Sequence, residues 1–393
     1  MFRDATPQSV FSGSLAAFVG FASSFAVVLA GLKGVGATDA QAALGMSAAA
    51  VAMGLSSIFL ALKTKLPMGV AWSTPGAALL ASAAVPAGGF PAAVGAFIVC
   101  GALLVLAGLF KPFGRAVAAI PGPLANALLA GVLLQLCLAP IQAIAFDWRL
   151  GLPILLAWIV MQRFNKALAV PAALVAFAVV VVFGVTFPAG WEQQLGDALL
   201  PDIALIMPVF EPAAILGIAL PLFVVTMASQ NIPGIAVLKA YGYEPDAGPA
   251  IATTGVFSAL FAPLGAHAVN LSAIVAAMMA SEEAGPDPAK RYVAAAVFGI
   301  GSVLFGLFAG VAAAFVSLAP PVLITAVAGL ALVGAFSASA MAAFADERLR
   351  PAAAVTFLAG ASGLSLLGIS GAFWGLIAGL VMVFLLKKPP PTT

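Results

Sequence analysis

Apolar residues in this chain do not alternate and do not gather on one helical face; they fill whole stretches. Fourteen continuously apolar segments succeed one another, at about 10–32, 40–61, 67–84, 91–110, 121–140, 150–162, 168–187, 210–230, 247–262, 264–280, 291–315, 320–343, 351–367 and 371–386. A helix that is apolar all round is buried or crosses a membrane, and about 20 such residues span the hydrocarbon core. The pattern predicts an all-α integral membrane protein. A transmembrane β-barrel would need segments of alternating polarity. Three segments depart from the rule. The one at 150–162 is short for a full crossing, and those at 67–84 and 264–280 are interrupted by Pro and Gly.

Composition agrees: 63% of residues are hydrophobic and 8% charged, where soluble domains carry about 45–50% and about 25%. Met1 to Ser9 is too polar and too poor in basic residues for a cleaved signal, so the first segment is expected to remain as a span. The few basic residues orient the chain. With the N-terminus in the cytoplasm, Arg3, Lys63, Lys65, Lys111, Arg115, Arg163, Lys166, Lys239, Lys290, Arg291, Arg348, Arg350, Lys387 and Lys388 all fall inside, and only Lys33 and Arg149 outside. Such a bias is the positive-inside rule at work, and it places both termini in the cytoplasm. The longest polar stretch, Gly190 to Glu211, carries Glu192, Asp197, Asp202 and Glu211 without Lys or Arg, as an outside loop should.

The chain repeats itself. Pro123-Leu-Ala-Asn-Ala-Leu-Leu-Ala-Gly131 aligns with Pro321-Val-Leu-Ile-Thr-Ala-Val-Ala-Gly329 at an offset of 198, where Gly101 also meets Gly299 and Gly108 meets Gly306. Pro67-x-Gly69 meets Pro263-x-Gly265 at 196. The reading is a duplication of seven spans, 1–190 and 210–388, and an odd number per repeat inverts the second copy, the plan of many secondary transporters.

The interrupted segments 3 and 10 are then twins. Each is expected to hold a short extended stretch followed by a half-helix, about 75–84 and 271–280, with Thr74 and Asn270 as N-caps seven positions after the leading proline. Pro75 suits the first helical position. The half-helix N-termini would converge near the midplane and favour an anion. His267, the only histidine, stands just before the second break. A lone histidine commonly donates to a carbonyl in a packed core, but an ionisable group within a span is first read as functional. It is the candidate proton carrier, since an anion bound beside it and a proton upon it would favour each other's binding. Ser73, Thr74 and Trp72 are expected at the same site. Trp72 would cover an aromatic ring, although tryptophans often mark the membrane interface instead. Gln230 and Asn231 stand where Pro233 and Gly234 suggest the end of span 8; an amide there either binds a ligand or bridges helices, and Gln230 is taken as a site candidate. Ser23 and Ser24 hold the matching place in span 1, with back-bonding to their own helix as the plainer alternative.

Cys100 and Cys137 read as core residues. No metal-ligand cluster accompanies His267, no ATP-binding motif is present, and no nucleophile–base–acid set suggests an enzyme. No cofactor and no nucleic-acid partner are expected.

Several stretches resemble the bacterial benzoate/proton symporter family. They are Ala71-Trp-Ser-Thr-Pro-Gly-Ala-Ala-Leu-Leu80, Met227-Ala-Ser-Gln-Asn-Ile-Pro-Gly-Ile-Ala-Val-Leu238, Ala262-Pro-Leu-Gly-Ala-His-Ala-Val-Asn-Leu-Ser272 and Pro286-Asp-Pro-Ala-Lys-Arg-Tyr292. The family is similar, more distantly, to nucleobase and sulfate/bicarbonate transporters with seven-plus-seven inverted repeats. That resemblance implies a core domain (about 10–110 and 210–315) moving against a gate domain (about 121–187 and 320–386), with the site between spans 1, 3, 8 and 10. Related nucleobase carriers place a carboxylate where this chain has Gln230. The expected function is proton-driven uptake of benzoate or a similar aromatic carboxylate across the bacterial inner membrane. A nucleobase/proton symporter is the alternative, and an anion channel a more distant one. By analogy the fold allows a homodimer through the gate domain.

Overall fold

The computed structural model describes residues 4–198 and 203–386; Arg3, Asp202, Lys387 and Lys388, which entered the charge count, lie outside them. Helix dominates. α1 (Pro7–Gly34) starts on a capping box in which the Thr6 hydroxyl accepts from the Ser9 amide. α2 (Asp39–Thr64) starts on a second box, Thr38 with Gln41, and ends at Lys65 in the left-handed region. Then come β1 (Val70–Trp72), α3 (Thr74–Ala81), α4 (Gly89–Leu109) and the short amphipathic α5 (Lys111–Ala118). α6 (Gly122–Phe146), α7 (Trp148–Phe164), α8 (Ala169–Gly184) and α9 (Trp191–Asp197) complete the first half. The second half holds α10 (Pro212–Ala240), α11 (Ala247–Phe261), β2 (Val269–Leu271), α12 (Ala273–Ala280), α13 (Tyr292–Leu307), α14 (Ala309–Ser317), α15 (Pro321–Ala343), α16 (Arg350–Ala361), a hairpin β3–β4 (Ser365–Leu366, Ile369–Ser370) and α17 (Gly371–Leu386). Among the described residues, nine helices are long and apolar enough to cross a membrane.

Three expectations are corrected. The eighth segment does not end at Gln230 and Asn231: α10 continues ten residues past position 230, to Ala240. It passes its prolines by widening. The Leu220 amide reaches back five residues to Ile215, and the Ile232 amide five residues to Met227, so a π turn precedes each of Pro221 and Pro233. Such turns accommodate a ring that would otherwise clash with the preceding turn. Pro221 also leaves the Gly217 carbonyl without its helical donor, and the Ser370 hydroxyl supplies one at 2.7 Å. Second, the half-helices begin elsewhere than expected. Ser73 and Ser272 are the N-caps, accepting from Gly76 and Val275; Thr74 is already helical and Asn270 lies within β2. Third, the segment at 291–315 breaks at Phe308 into α13 and α14. The molecule is also not purely helical, because β1 pairs with β2 and β3 with β4.

Phe90, Phe97, Met46, Met53, Leu79 and Leu80 belong to one continuous core with both central strands. Glycines let its helices touch. A Cβ on Gly54 of α2 would stand 2.5 Å from the Gly299 carbonyl oxygen of α13, and one on Gly299 the same distance from the Gly54 oxygen. The α4–α11 crossing repeats this, with Gly101 and Gly255 each placing a would-be Cβ 2.7–2.9 Å from the other's carbonyl oxygen. Small residues let apolar helices meet at backbone distance, where dispersion and not hydrophobicity holds them together. Gly101 and Gly299, matched in the sequence, thus each stand at a crossing of two helices. By contrast α7 and α8 leave Ile159, Val160, Val175, Val179 and Phe183 exposed on the outer surface.

Gly54→Val and Gly299→Val should each destabilise the purified protein by about 1–3 kcal/mol through overpacking. Gly334→Ala, with no atom near its new methyl, should leave the thermal midpoint in detergent unchanged. Equal midpoints for all three would refute the crossing.

Candidate functional site

The site is built on the two short strands. They run antiparallel, with Val70 opposite Leu271, Ala71 opposite Asn270 and Trp72 opposite Val269. The Ser73 amide extends the ladder to the Ala268 carbonyl at 2.9 Å, and the Ser272 amide to Gly69 at 3.3 Å. A two-stranded ribbon still has two open edges, and unpaired backbone groups are costly away from water. Neighbouring helices close them. The Ser57 hydroxyl of α2 accepts from the Val70 amide at 2.8 Å and shares its one proton between the Met53 carbonyl of its own helix at 2.7 Å and the Val70 carbonyl at 3.1 Å. The Ser258 hydroxyl of α11 accepts from the Val269 amide at 2.9 Å and shares its proton between the Thr254 carbonyl at 2.8 Å and the Val269 carbonyl at 3.3 Å. Asn231 of α10, fully buried, accepts from the Leu271 amide at 2.9 Å through Oδ1.

From opposite ends of this ribbon α3 and α12 depart, and both N-termini border one cavity of about 190 Å³. An apolar cavity of about 150 Å³ takes up benzene, so the volume suits a single ring bearing a small polar group. Thr74 and Pro75 line it from α3, Ser272, Ile274 and Val275 from the start of α12, Ser23 and Ser24 from α1, Gln230 from α10, and Ala331, Leu332 and Ala335 from α15. Trp72 and Phe298 supply aromatic surface. The Trp72 indole is fixed: Nε1 donates to the Ser24 hydroxyl at 2.7 Å, which donates in turn to the Gly20 carbonyl at 2.8 Å. Phe21 holds the ring from another side, centroids 5.5 Å apart.

The structure thus gathers Ser23, Ser24, Trp72, Thr74 and Gln230 around the cavity and leaves Ser73, His267 and Asn270 off its wall. These three are completely buried. The Ser73 hydroxyl caps α3 and shares a hydrogen bond with the Thr226 hydroxyl at 2.9 Å. His267 donates from Nε2 to the Ser73 carbonyl at 3.2 Å; a carbonyl only accepts, so Nε2 carries a proton. Asn270 donates to the Leu271 carbonyl at 3.0 Å and caps nothing. Sequence reading missed Ser272, Ser57, Ser258 and Phe298, and passed over Asn231 in favour of Gln230. One signal was available: Ser73 and Ser272 lie 199 apart, as do Val70 and Val269, so a repeat alignment extended through the strands would have paired the true caps.

Each helix end is worth roughly 0.3–1 kcal/mol to a bound anion. Stripping water from a carboxylate costs several times that. Two such ends do not compensate a full buried charge.

A buried site between two discontinuous segments, at the centre of a bundle of apolar helices, defines a membrane transport protein. The fold agrees with solved transporters. The transmembrane domain of a cyanobacterium bicarbonate transporter, BicA, matches with a TM-score of 0.59 at 14% identity over 98% of both chains. Murine Solute Carrier 26 family member A9, an anion transporter in the inward-facing state, matches with a TM-score of 0.65 at 11% identity, over 96% of this chain and 68% of that one. The Escherichia coli (strain K12) inner membrane protein YdcO is 40% identical over 97% of this chain and 96% of its own length. The benzoate membrane transport protein of Acinetobacter baylyi is 33% identical over 87% and 86%. Residues 3–385 match the model of the benzoate membrane transport protein family, BenE. The chain belongs to that family and is a multi-pass membrane transporter, not an enzyme.

Asn231→Ala leaves the buried Leu271 amide without an acceptor and should cost about 1–3 kcal/mol. Gln230→Ala, on the cavity wall, should leave the melting temperature of the purified protein close to that of the parent. The reverse order of midpoints would refute the division of labour between these neighbours.

Proposed function

We propose that the protein carries benzoate or a closely similar single-ring carboxylate inward across the bacterial inner membrane, coupled to protons. One observation carries the substrate reading: a single-ring cavity, aromatic at Trp72 and Phe298, whose polar edge is formed where two half-helices begin at Ser73–Thr74 and Ser272. The ring would lie against Trp72. The carboxyl group would meet Thr74, Ser24, Ser272 and the first amides of α3 and α12, with Gln230 closing the pocket. Ser73, His267 and Asn270 would brace the ribbon. A nucleobase would want a carboxylate partner, and this wall offers the Gln230 carboxamide.

In this reading the chain crosses fourteen times in two inverted repeats of seven, 1–190 and 210–388. The core domain, about 10–110 and 210–315, carries the ribbon and moves against the gate domain, about 121–187 and 320–386. The apolar faces of α7 and α8 meet lipid or a second copy in a homodimer. With both termini cytoplasmic, α3 runs outward from the midplane and α12 inward. Ile274, Val275 and Met278 of α12 line the cavity, which supports an inward-facing conformation.

Purified protein in liposomes should take up labelled benzoate saturably, above protein-free liposomes and faster with an inward proton gradient. Thr74→Ala and Trp72→Ala should each raise KM about tenfold, equivalent to about 1.4 kcal/mol of lost contact. Stronger competition by uracil or xanthine than by benzoate would reject the substrate class.

A further inference from the structure

Every polar side chain on the cavity wall is a neutral hydroxyl or carboxamide: Ser23, Ser24, Thr74, Ser272 and Gln230. The imidazole of His267 is fully buried and off the wall, with Nε2 on the Ser73 carbonyl. The charged residues of the bordering elements stand at helix ends, off the wall. Lys33 closes α1, Asp39 and Lys63 stand at the two ends of α2, and Lys239 stands near the end of α10. Past α12 come the exposed Glu282 and Glu283. Arg291, just before α13, is engaged by the Ala280 and Gly285 carbonyls at 2.6 and 2.7 Å. β1, α3 and α15 carry no Asp, Glu, Lys, Arg or His.

We propose that the coupling proton travels on the substrate's own carboxyl group, so that the species enclosed in the cavity is the neutral aromatic acid. This rests on reading the cavity as an aromatic-carboxylate site. On the entry side the carboxylate takes one proton from water and forms an O–H bond; on the exit side that bond gives the proton back to water. One proton accompanies each substrate, no net charge crosses, and no protein group changes protonation state. The wall is matched to such a ligand. A protonated carboxyl group both donates and accepts, and so do the hydroxyls of Thr74 and Ser272 and the carboxamide of Gln230, while the Ser23 and Ser24 protons are engaged by the Gly20 carbonyl. An ionised carboxylate accepts only, which leaves the Gln230 carbonyl oxygen without a donor from the ligand. The helix ends α3 and α12 receive the carbonyl oxygen.

Calorimetric binding to the full-length protein in detergent, repeated in two buffers of different ionisation enthalpy, counts protons taken up per ligand bound. The probes are benzoate, benzenesulfonate, which stays ionised at any working pH, and benzamide, which stays neutral. Benzoate should bind with uptake of about one proton near neutrality. Its apparent Kd should fall about tenfold for each pH unit lowered, while pH stays well above the acid's own pKa of about 4. Benzamide should compete with benzoate without proton uptake, and benzenesulfonate should bind without a proton or not at all. Benzenesulfonate bound together with a proton would put the proton on the protein and overturn the proposal. So would benzoate bound without proton uptake, or a failure of benzamide to compete. Absence of any benzoate binding would instead overturn the underlying reading of the cavity, a separate result.

Discussion

A backbone that leaves the helix inside a membrane must find partners for every amide and carbonyl it frees, and in this protein the two interrupted segments find them in each other. Val70–Trp72 and Val269–Leu271 are too short to be stable as an isolated ribbon. They persist because Ser57 and Ser258 each accept an open-edge amide and share a proton with the carbonyl beside it, and Asn231 takes one further amide. The two breaks are therefore interdependent: either segment alone would leave unpaired groups that lipid cannot satisfy. The serines are alike in placement, one on the helix before each strand.

The helices around the ribbon are arranged to reach it. Glycine pairs at Gly54–Gly299 and Gly101–Gly255 bring α2 onto α13 and α4 onto α11 at backbone distance, and α2 and α11 are the helices that carry the two clamping serines. In α10 the π turn before Pro233 holds two adjacent amide residues with different tasks. Asn231 faces the ribbon and is fully buried, while Gln230 borders the cavity. Successive helical residues point about 100° apart, so a single turn can fasten the scaffold on one side and meet a ligand on the other.

The cavity's chemistry follows from the same scaffold. His267, Ser73 and Asn270 are buried off the cavity wall, and hydroxyls, one carboxamide and two aromatic rings line it. The two helix ends that border it do not neutralise a full charge. The Trp72 indole, pinned by Ser24 and packed on Phe21, is the wall's most firmly held surface.

The hydrophobic run lengths and the paired Pro-x-Gly breaks determined the class of fold and the two places where the helices fail, because the hydrocarbon core dictates segment length and tolerates irregular backbone only at buried, polar-lined places. The repeat offset also marked glycines that stand at helix crossings. Five of the eight candidate residues, Ser23, Ser24, Trp72, Thr74 and Gln230, lie on the cavity wall, and each belongs to a broken segment or to a span beside it. The tertiary structure decided the rest. Which residue capped each half-helix and whether His267 reached the cavity wall depended on how the two strands pair, and that pairing joins segments nearly 200 residues apart. Local sequence can announce that a helix breaks; it does not encode the partner that the freed backbone will find, and that partner determines which side chains face the ligand.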